Sequence, residues 1–131
     1  MIRLGINGFG RIGRVLARIV QDIDNINLVA INDINHDNEN INYLFNFDST
    51  YGRLKDKSKI DGNSIINKKS NIKIYHEEEI DKVPWKDENI DVLIDSSGIS
   101  KNLDLYSNLK GEVQFVIVTN TPDSDKINKY I

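Results

Sequence analysis

The segment Gly8-Phe9-Gly10-Arg11-Ile12-Gly13 constrains the fold of this chain more than any other feature of the sequence. Its G-x-G-x-x-G pattern directly follows Ile2 to Asn7, a short apolar run typical of a buried strand, and is followed at once by helical periodicity. Because glycines also cluster in turns by chance, the pattern alone is weak evidence, and its position between strand and helix gives it weight. The chain is therefore predicted to open with a strand, a glycine-rich turn and a helix.

The predicted first helix is amphipathic. Its apolar residues recur at intervals of three and four, which places them on one stripe, whereas Arg11, Arg14 and Arg18 lie off that stripe. The stripe consists of Ile12, Val15, Leu16, Ile19, Val20 and Ile23.

A second strand and a second helix are predicted next. Leu28 to Ile31 is apolar, and its β-branched residues suit a buried parallel strand. Asp37 is a candidate N-cap for a helix that continues through Phe47. The polar stretch from Asp48 to Lys57 is predicted to be a loop. The residues expected to face inward from the second helix are Ile41, Tyr43, Leu44 and Phe45.

The remaining pattern predicts further strands and helices. Short apolar groups separated by turn sequences between Lys59 and Tyr75 indicate small antiparallel strands inserted on the main sheet. Val92 to Ile94 and Phe115 to Val118 are typical of core strands, with a helix predicted between them at Leu103 to Leu109. A final helix is predicted at Asp123 to Ile131.

This alternation predicts an α/β fold of the Rossmann type. We expect a doubly wound, mainly parallel sheet with right-handed crossovers, helices on its faces and a small antiparallel insertion. A chain of 131 residues fits one domain, so residues 1–131 are predicted to form a single Rossmann domain without repeats or linkers.

Charge and composition make several partners poor candidates. A net charge of -3 gives no attraction to nucleic acid or to an anionic membrane surface, and no apolar run approaches the ~18 residues that would cross a bilayer. The N-terminus lacks the basic-then-apolar order of a signal peptide, so a cytoplasmic location is expected. With no cysteine, the chain has neither disulfides nor a thiolate to serve as nucleophile or zinc ligand.

The glycine pattern is suited to holding a dinucleotide. Gly8 permits the tight turn, Gly10 lets the backbone approach a pyrophosphate, and Gly13 allows close packing of helix and strand. Free amides and the helix dipole would then bind the anion. Asp33, at the end of the next strand, would accept hydrogen bonds from the adenosine ribose and repel the extra phosphate of NADP, which favours NAD. The alternatives are a glycine-rich turn that binds nothing and, for Asp33, a plain turn residue.

The segment from Ile6 to Arg14 closely resembles the opening of glyceraldehyde-3-phosphate dehydrogenases. Ala30-Ile31-Asn32-Asp33 continues the resemblance, and Asp48-Ser49-Thr50-Tyr51-Gly52-Arg53 is similar to the family's Asp-Ser-Thr-His-Gly loop. Pro84-Trp85 stands where the family often has a tryptophan ahead of its fourth main strand. The similarity covers nearly the whole chain in order.

The resemblance implies further cofactor-binding residues. Asn7, Arg11 and Ile12 are implied at the pyrophosphate, and Asn32 joins Asp33 at the adenosine end. Ser97-Gly98 resembles the family's Thr-Gly that lies along the cofactor. Thr119 resembles the residue near the nicotinamide ribose. The alternative for these last positions is small loop residues at strand ends.

Two regions depart from the family pattern. His76-Glu77-Glu78-Glu79 stands where the family often carries an arginine near the adenine, and Thr119-Asn120-Thr121-Pro122 is less regular than in the family. His36 and His76 are interpreted as surface histidines. The Glu77 to Glu79 run with Asp81 is interpreted as a solvated face rather than a cation site, so no metal is assigned.

In the family, a cysteine thiolate attacks an aldehyde, a histidine takes its proton, and hydride passes to NAD in a glycolytic step. Those groups belong to a second domain that we expect beyond Ile131, so this chain alone is predicted to be inactive and to have no catalytic residue. The alternatives are a stand-alone nucleotide-binding module or pseudoenzyme, and a structural piece that docks onto intact family subunits or onto copies of itself through exposed edges or helix faces.

Overall fold

Residues 1–119 are described by a computed structural model. In this part of the chain, strands and helices alternate as the sequence predicts. The elements are β1 (Ile2–Asn7), α1 (Arg11–Val20), β2 (Ile26–Asn32), α2 (Asn38–Asn46), β3 (Phe47–Asp48), β4 (Gly52–Arg53), β5 (Lys59–Asp61), β6 (Ser64–Ile66), β7 (Asn71–Tyr75), β8 (Val92–Asp95), α3 (Asn102–Leu105) and β9 (Phe115–Val118). The helix predicted at Asp123 to Ile131 lies outside the described residues.

The main sheet has seven strands in the order β5-β6-β7-β2-β1-β8-β9. Strands β7, β2, β1, β8 and β9 pair in parallel, and β5 and β6 add antiparallel at one edge. Strands β3 and β4 form a separate antiparallel pair. The predicted Rossmann-type fold with a small antiparallel insertion is confirmed.

Helix α1 buries only part of the predicted stripe, in which Leu16 and Ile23 pack against the core and are partly buried. Gly13, Ala17 and Val20 are its buried residues, whereas Ile12 and Ile19 are each 52% exposed. The prediction was wrong for Ile12 and Ile19 because periodicity weights large apolar side chains, while a helix that approaches a sheet closely presents its small residues at the contact.

Helix α2 begins where the sequence predicts. Asp37 is its N-cap, and the side chain accepts a 3.0 Å hydrogen bond from the Asn40 amide. Ile41 and Phe45 are buried as predicted, but Tyr43 is 58% exposed. The predicted third helix is confirmed as α3, which continues as a 3-10 helix at Tyr106–Leu109.

Two apolar clusters form the core. One includes Phe9 and Phe45, and the other contains the fully buried Trp85, whose indole donates to the Ile80 carbonyl at 2.8 Å. The described residues include no helix that is long and apolar enough to span a membrane.

Candidate functional site

A cavity of about 200 Å³ opens at the carboxyl ends of β1, β2 and β8. In an open parallel sheet this edge is where ligands bind, because helix N-termini and loop side chains converge there. Larger surface cavities beside α1 involve no residue of the glycine-rich turn except Arg11. The residues that line the cavity are Asn7, Gly8, Gly10, Asn32, Asp33, Ile34, Glu77, Glu78, Ser96, Ser97 and Ile99.

Gly8 is required by the fold itself. Its φ of +90° lies in the left-handed region, and a Cβ here would stand 2.6 Å from the Ser97 Cα. Its amide donates to the Asn32 carbonyl at 2.7 Å, which extends the pairing of β1 with β2 by one residue. Gly8 therefore makes the tight turn that the sequence predicts.

Gly13 is also required by packing, whereas Gly10 is not. A Cβ on Gly13 would lie 2.2 Å from the Gly8 carbonyl oxygen, so the glycine lets α1 begin directly against the turn. Gly10 caps α1 with a φ of -77°, and a Cβ there would meet nothing within 4 Å. The fold gives no reason for a glycine at position 10, which lines the cavity.

Asp33 fixes the glycine-rich turn from the neighbouring strand. One carboxylate oxygen accepts a 2.7 Å hydrogen bond from the Phe9 amide, and the other accepts a 2.8 Å bond from the Asn35 amide. The half-buried Asp33 also lines the cavity, and each carboxylate oxygen can accept more than one hydrogen bond.

A series of hydrogen bonds between buried side chains connects the strand ends beneath the cavity. The Asn32 amide group donates to the Asn7 side-chain oxygen at 2.7 Å, and the Asn7 amide group donates to Asp95 at 3.1 Å. Asn32 also exchanges hydrogen bonds with the main chain of Glu77, at 2.8 and 3.0 Å. These bonds link β7, β2, β1 and β8 through side chains that are almost fully buried.

Asp95 is the central residue of this network, and the sequence analysis did not single it out as a site residue. The carboxylate is 1% exposed and accepts five hydrogen bonds, from the groups of Asn7, Ser97, Asn102 and Tyr106. Burial and the hydrogen bond to Asp95 raise the pKa of Tyr106 well above its usual range. The signal in the sequence was a single carboxylate at the end of an apolar strand.

Some predicted site residues lie outside the cavity lining. Arg11 and Ile12 are exposed at the start of α1, and Gly98 is exposed with a φ of +72°. Thr119 is exposed, and both its amide and its hydroxyl donate to the Asp95 carbonyl, at 3.2 and 3.4 Å. Ser97 lines the cavity, as do Ser96 and Ile99, which were not predicted.

The two histidines stack against each other beside Asp33, with ring centres 4.8 Å apart. His36 is exposed, whereas His76 is half-buried and bonds the Asp33 carbonyl and the Asn38 side chain, each at 2.8 Å. Among the described residues, no group of three or more histidine or acidic side chains is arranged to hold a metal ion.

Comparison with known families gives a match over most of the chain. The family described as "Glyceraldehyde 3-phosphate dehydrogenase, NAD binding domain" matches residues 2–103. This range includes the glycine-rich turn, Asp33 and Asp95.

Individual relatives agree with the family match. A glyceraldehyde-3-phosphate dehydrogenase of Eremothecium gossypii is 39% identical over 104 residues, which is 79% of this chain and 31% of that protein. One from Buchnera aphidicola is 37% identical over 131 residues, or 99% of this chain and 39% of that protein. One from Trichoderma koningii is 36% identical over 124 residues. The chain thus spans roughly a third of the length of these relatives.

Proposed function

The chain belongs to the glyceraldehyde-3-phosphate dehydrogenase family and carries its NAD binding domain, and on that premise we propose that the cavity at the ends of β1, β2 and β8 is the NAD site. The observation that carries this assignment is Gly10, whose missing side chain leaves open space at the N-terminus of α1. Free amides at a helix N-terminus suit a pyrophosphate, and a side chain here would occupy the space the anion needs.

Individual cavity residues are proposed to contact particular parts of the cofactor. Asp33 accepts hydrogen bonds from the adenosine ribose, and Asn32 holds the strand end next to it. Ile34 and Ile99 supply apolar surface for the adenine. The remaining proposed cofactor-binding residues are Asn7, Gly8, Arg11, Ile12, Gly13, Ser97, Gly98 and Thr119.

NAD, when bound, supplies a hydride acceptor for aldehyde oxidation. The residues of this chain bind and orient it. Because the chain contains no cysteine, we propose that it supplies the cofactor site of a phosphorylating aldehyde dehydrogenase whose nucleophile lies outside residues 1–131. Residues 1–131 then act as one NAD-binding domain of a cytoplasmic, glycolytic enzyme.

We propose no nucleic acid or membrane partner for this domain, in keeping with a net charge of -3. Its protein partners are further family subunits or further copies of the chain. Within residues 1–119, strand β9 lies at one edge of the sheet, with Phe115 65% and Ile117 51% exposed, which supports this proposal.

Calorimetric titration of the purified chain with NAD and with ADP-ribose tests the proposed site. We expect both to bind, and we expect Gly10→Ala to weaken both by at least about tenfold. The melting temperature of this variant should not fall, because a Cβ at Gly10 contacts nothing in the protein. The far-ultraviolet circular dichroism spectrum shows whether the chain has an α/β fold. If a folded chain binds neither ligand at millimolar concentration, the proposal is contradicted.

A further inference from the structure

We propose that Glu77 and Glu78, together with Asp33, form a negatively charged wall at the cavity. This wall favours a dinucleotide whose adenosine ribose carries no phosphate, and it does so even when Asp33 is replaced by an uncharged residue. The inference rests on the proposed NAD site and identifies two specificity-determining residues within it. Both glutamates come from the segment after β7, so they are supplied by a different part of the chain from Asp33.

Main-chain contacts hold this segment against the end of β2. The Glu77 amide donates to the Asn32 side-chain oxygen at 2.8 Å, and the Asn32 amide group donates to the Glu77 carbonyl at 3.0 Å. The Asp33 amide donates to the Tyr75 carbonyl at 3.0 Å. Asn32 directly precedes Asp33 and is only 3% exposed. Its bonds therefore fix the backbone of Glu77 close to Asp33.

The cavity lining contains Asp33, Glu77 and Glu78 but neither lysine nor arginine. His76 and His36 lie outside this lining, and the ring nitrogens of His76 bond the Asp33 carbonyl and the Asn38 side chain. A ribose phosphate would add a charge of about -2 in front of these groups. The wall therefore repels it while leaving a plain ribose unaffected.

The negative charge of the two glutamates is not offset by hydrogen bonds from the described part of the chain, whereas that of Asp33 partly is. Asp33 accepts hydrogen bonds from the Phe9 and Asn35 amides, which hold it in place and offset part of its charge. Within residues 1–119, the side chains of Glu77 and Glu78 have no hydrogen-bond partner, and both are exposed at the cavity rim. Their charge is screened by salt but not neutralised by protein groups.

The test measures the ratio of the Kd for NADP to the Kd for NAD in the full chain and in four variants. These are Asp33→Asn, the double variant Glu77→Gln with Glu78→Gln, the triple variant that combines them, and Glu112→Gln as a control. Asparagine and glutamine remove charge while keeping shape, and Glu112 is exposed and lies outside the cavity lining. Melting temperatures establish that each variant is folded, and weak ligands are measured by displacement of ADP-ribose.

We expect Asp33→Asn to remain selective for NAD, the double variant to bind NADP about three- to tenfold more tightly, and the triple variant to lose selectivity. The gain in the double variant should shrink as salt is raised, and Glu112→Gln should change nothing. Equal affinity for NAD and NADP in Asp33→Asn, or an unchanged ratio in the double variant, would overturn this inference and leave the NAD site standing. Failure of the unsubstituted chain to bind NAD would overturn both.

Discussion

The hydroxyl of Tyr106 donates a hydrogen bond to the carboxylate of Asp95 below the carboxyl end of β8. Tyr106 begins the 3-10 helix that follows α3, so this bond ties a helical segment to the sheet. The same carboxylate accepts from Asn7, which in turn binds Asn32. The positions of two polar residues at the cavity thus depend on a buried acid that Tyr106 helps to hold.

Removing the Tyr106 hydroxyl should destabilise the fold. Tyr106→Phe deletes a donor to a buried carboxylate while keeping the ring, and we expect a loss of about 1–3 kcal/mol in the free energy of unfolding. Urea denaturation measures this loss. Tyr43→Phe is the matched control, because Tyr43 is 58% exposed and its substitution should have little effect. Equal stability of the two variants would contradict the role given to Tyr106.

The same tyrosines should make the protein sensitive to alkali. Burial, together with bonds to Asp95 and Glu88, raises the pKa values of Tyr106 and Tyr75 above the ordinary value of 10.0. A raised pKa in the folded state contributes stability below about pH 10 that is lost as the pH rises above it. The loss approaches about 1.4 kcal/mol per pH unit for each tyrosine that stays protonated only when folded.

Chemical denaturation between about pH 9 and pH 12 measures this dependence. The free energy of unfolding of Tyr106→Phe should fall less steeply with rising pH than that of the unsubstituted chain, because one of the two tyrosine protons linked to folding is gone. A decline of the same slope in both proteins would show that Tyr106 titrates normally. Tyrosinate absorbance provides an independent reading of the same titration.

Two glycines of the turn should respond differently to alanine. In Gly13→Ala the new Cβ would approach the Gly8 carbonyl oxygen to 2.2 Å, so α1 must move away and we expect a loss of about 2 kcal/mol or more. Gly10→Ala meets no protein atom at a φ of -77°, so we expect unchanged or slightly higher stability. Thermal unfolding of both variants measures the contrast, and comparable losses would contradict it.

The turn and the caps were predictable because they depend on local backbone requirements. Gly8 makes the predicted turn, and Asp37 is the predicted N-cap of α2. The bond from the Phe9 amide to Asp33 was not predicted, and the ribose contact of Asp33 stays a prediction. Asp95 was not found, because its link to the cavity residue Asn7 spans 88 positions. Its other four hydrogen bonds come from residues within 11 positions, but at the end of an apolar strand these polar neighbours are typical of an ordinary loop. In α1 the burial of Gly13 and Ala17 was missed, since close contact with neighbouring backbone, not hydrophobicity, selects small residues there.

The C-terminus of α1 provides a further test of long-range contacts. The Lys69 ammonium donates to the carbonyls of Val20, Gln21 and Ile23, at 2.6, 3.0 and 2.6 Å. The Val20 and Ile23 carbonyls each also accept one main-chain amide, from Ile23 and Ile26, so the ammonium is an additional donor to the oxygens at this end of α1. A cation here also opposes the negative pole of the helix dipole.

Replacing that cation should therefore weaken the packing of α1 on the loop before β7. We expect Lys69→Met, which keeps the aliphatic length, to cost about 1–2 kcal/mol in the free energy of unfolding. Lys68→Met is the matched control, because Lys68 is exposed and only its main chain is bonded, to Asp56. Urea denaturation at neutral pH compares the two. If both substitutions have the same small effect, the ammonium of Lys69 does not cap the helix in solution, and the end of α1 is held by its apolar contacts alone.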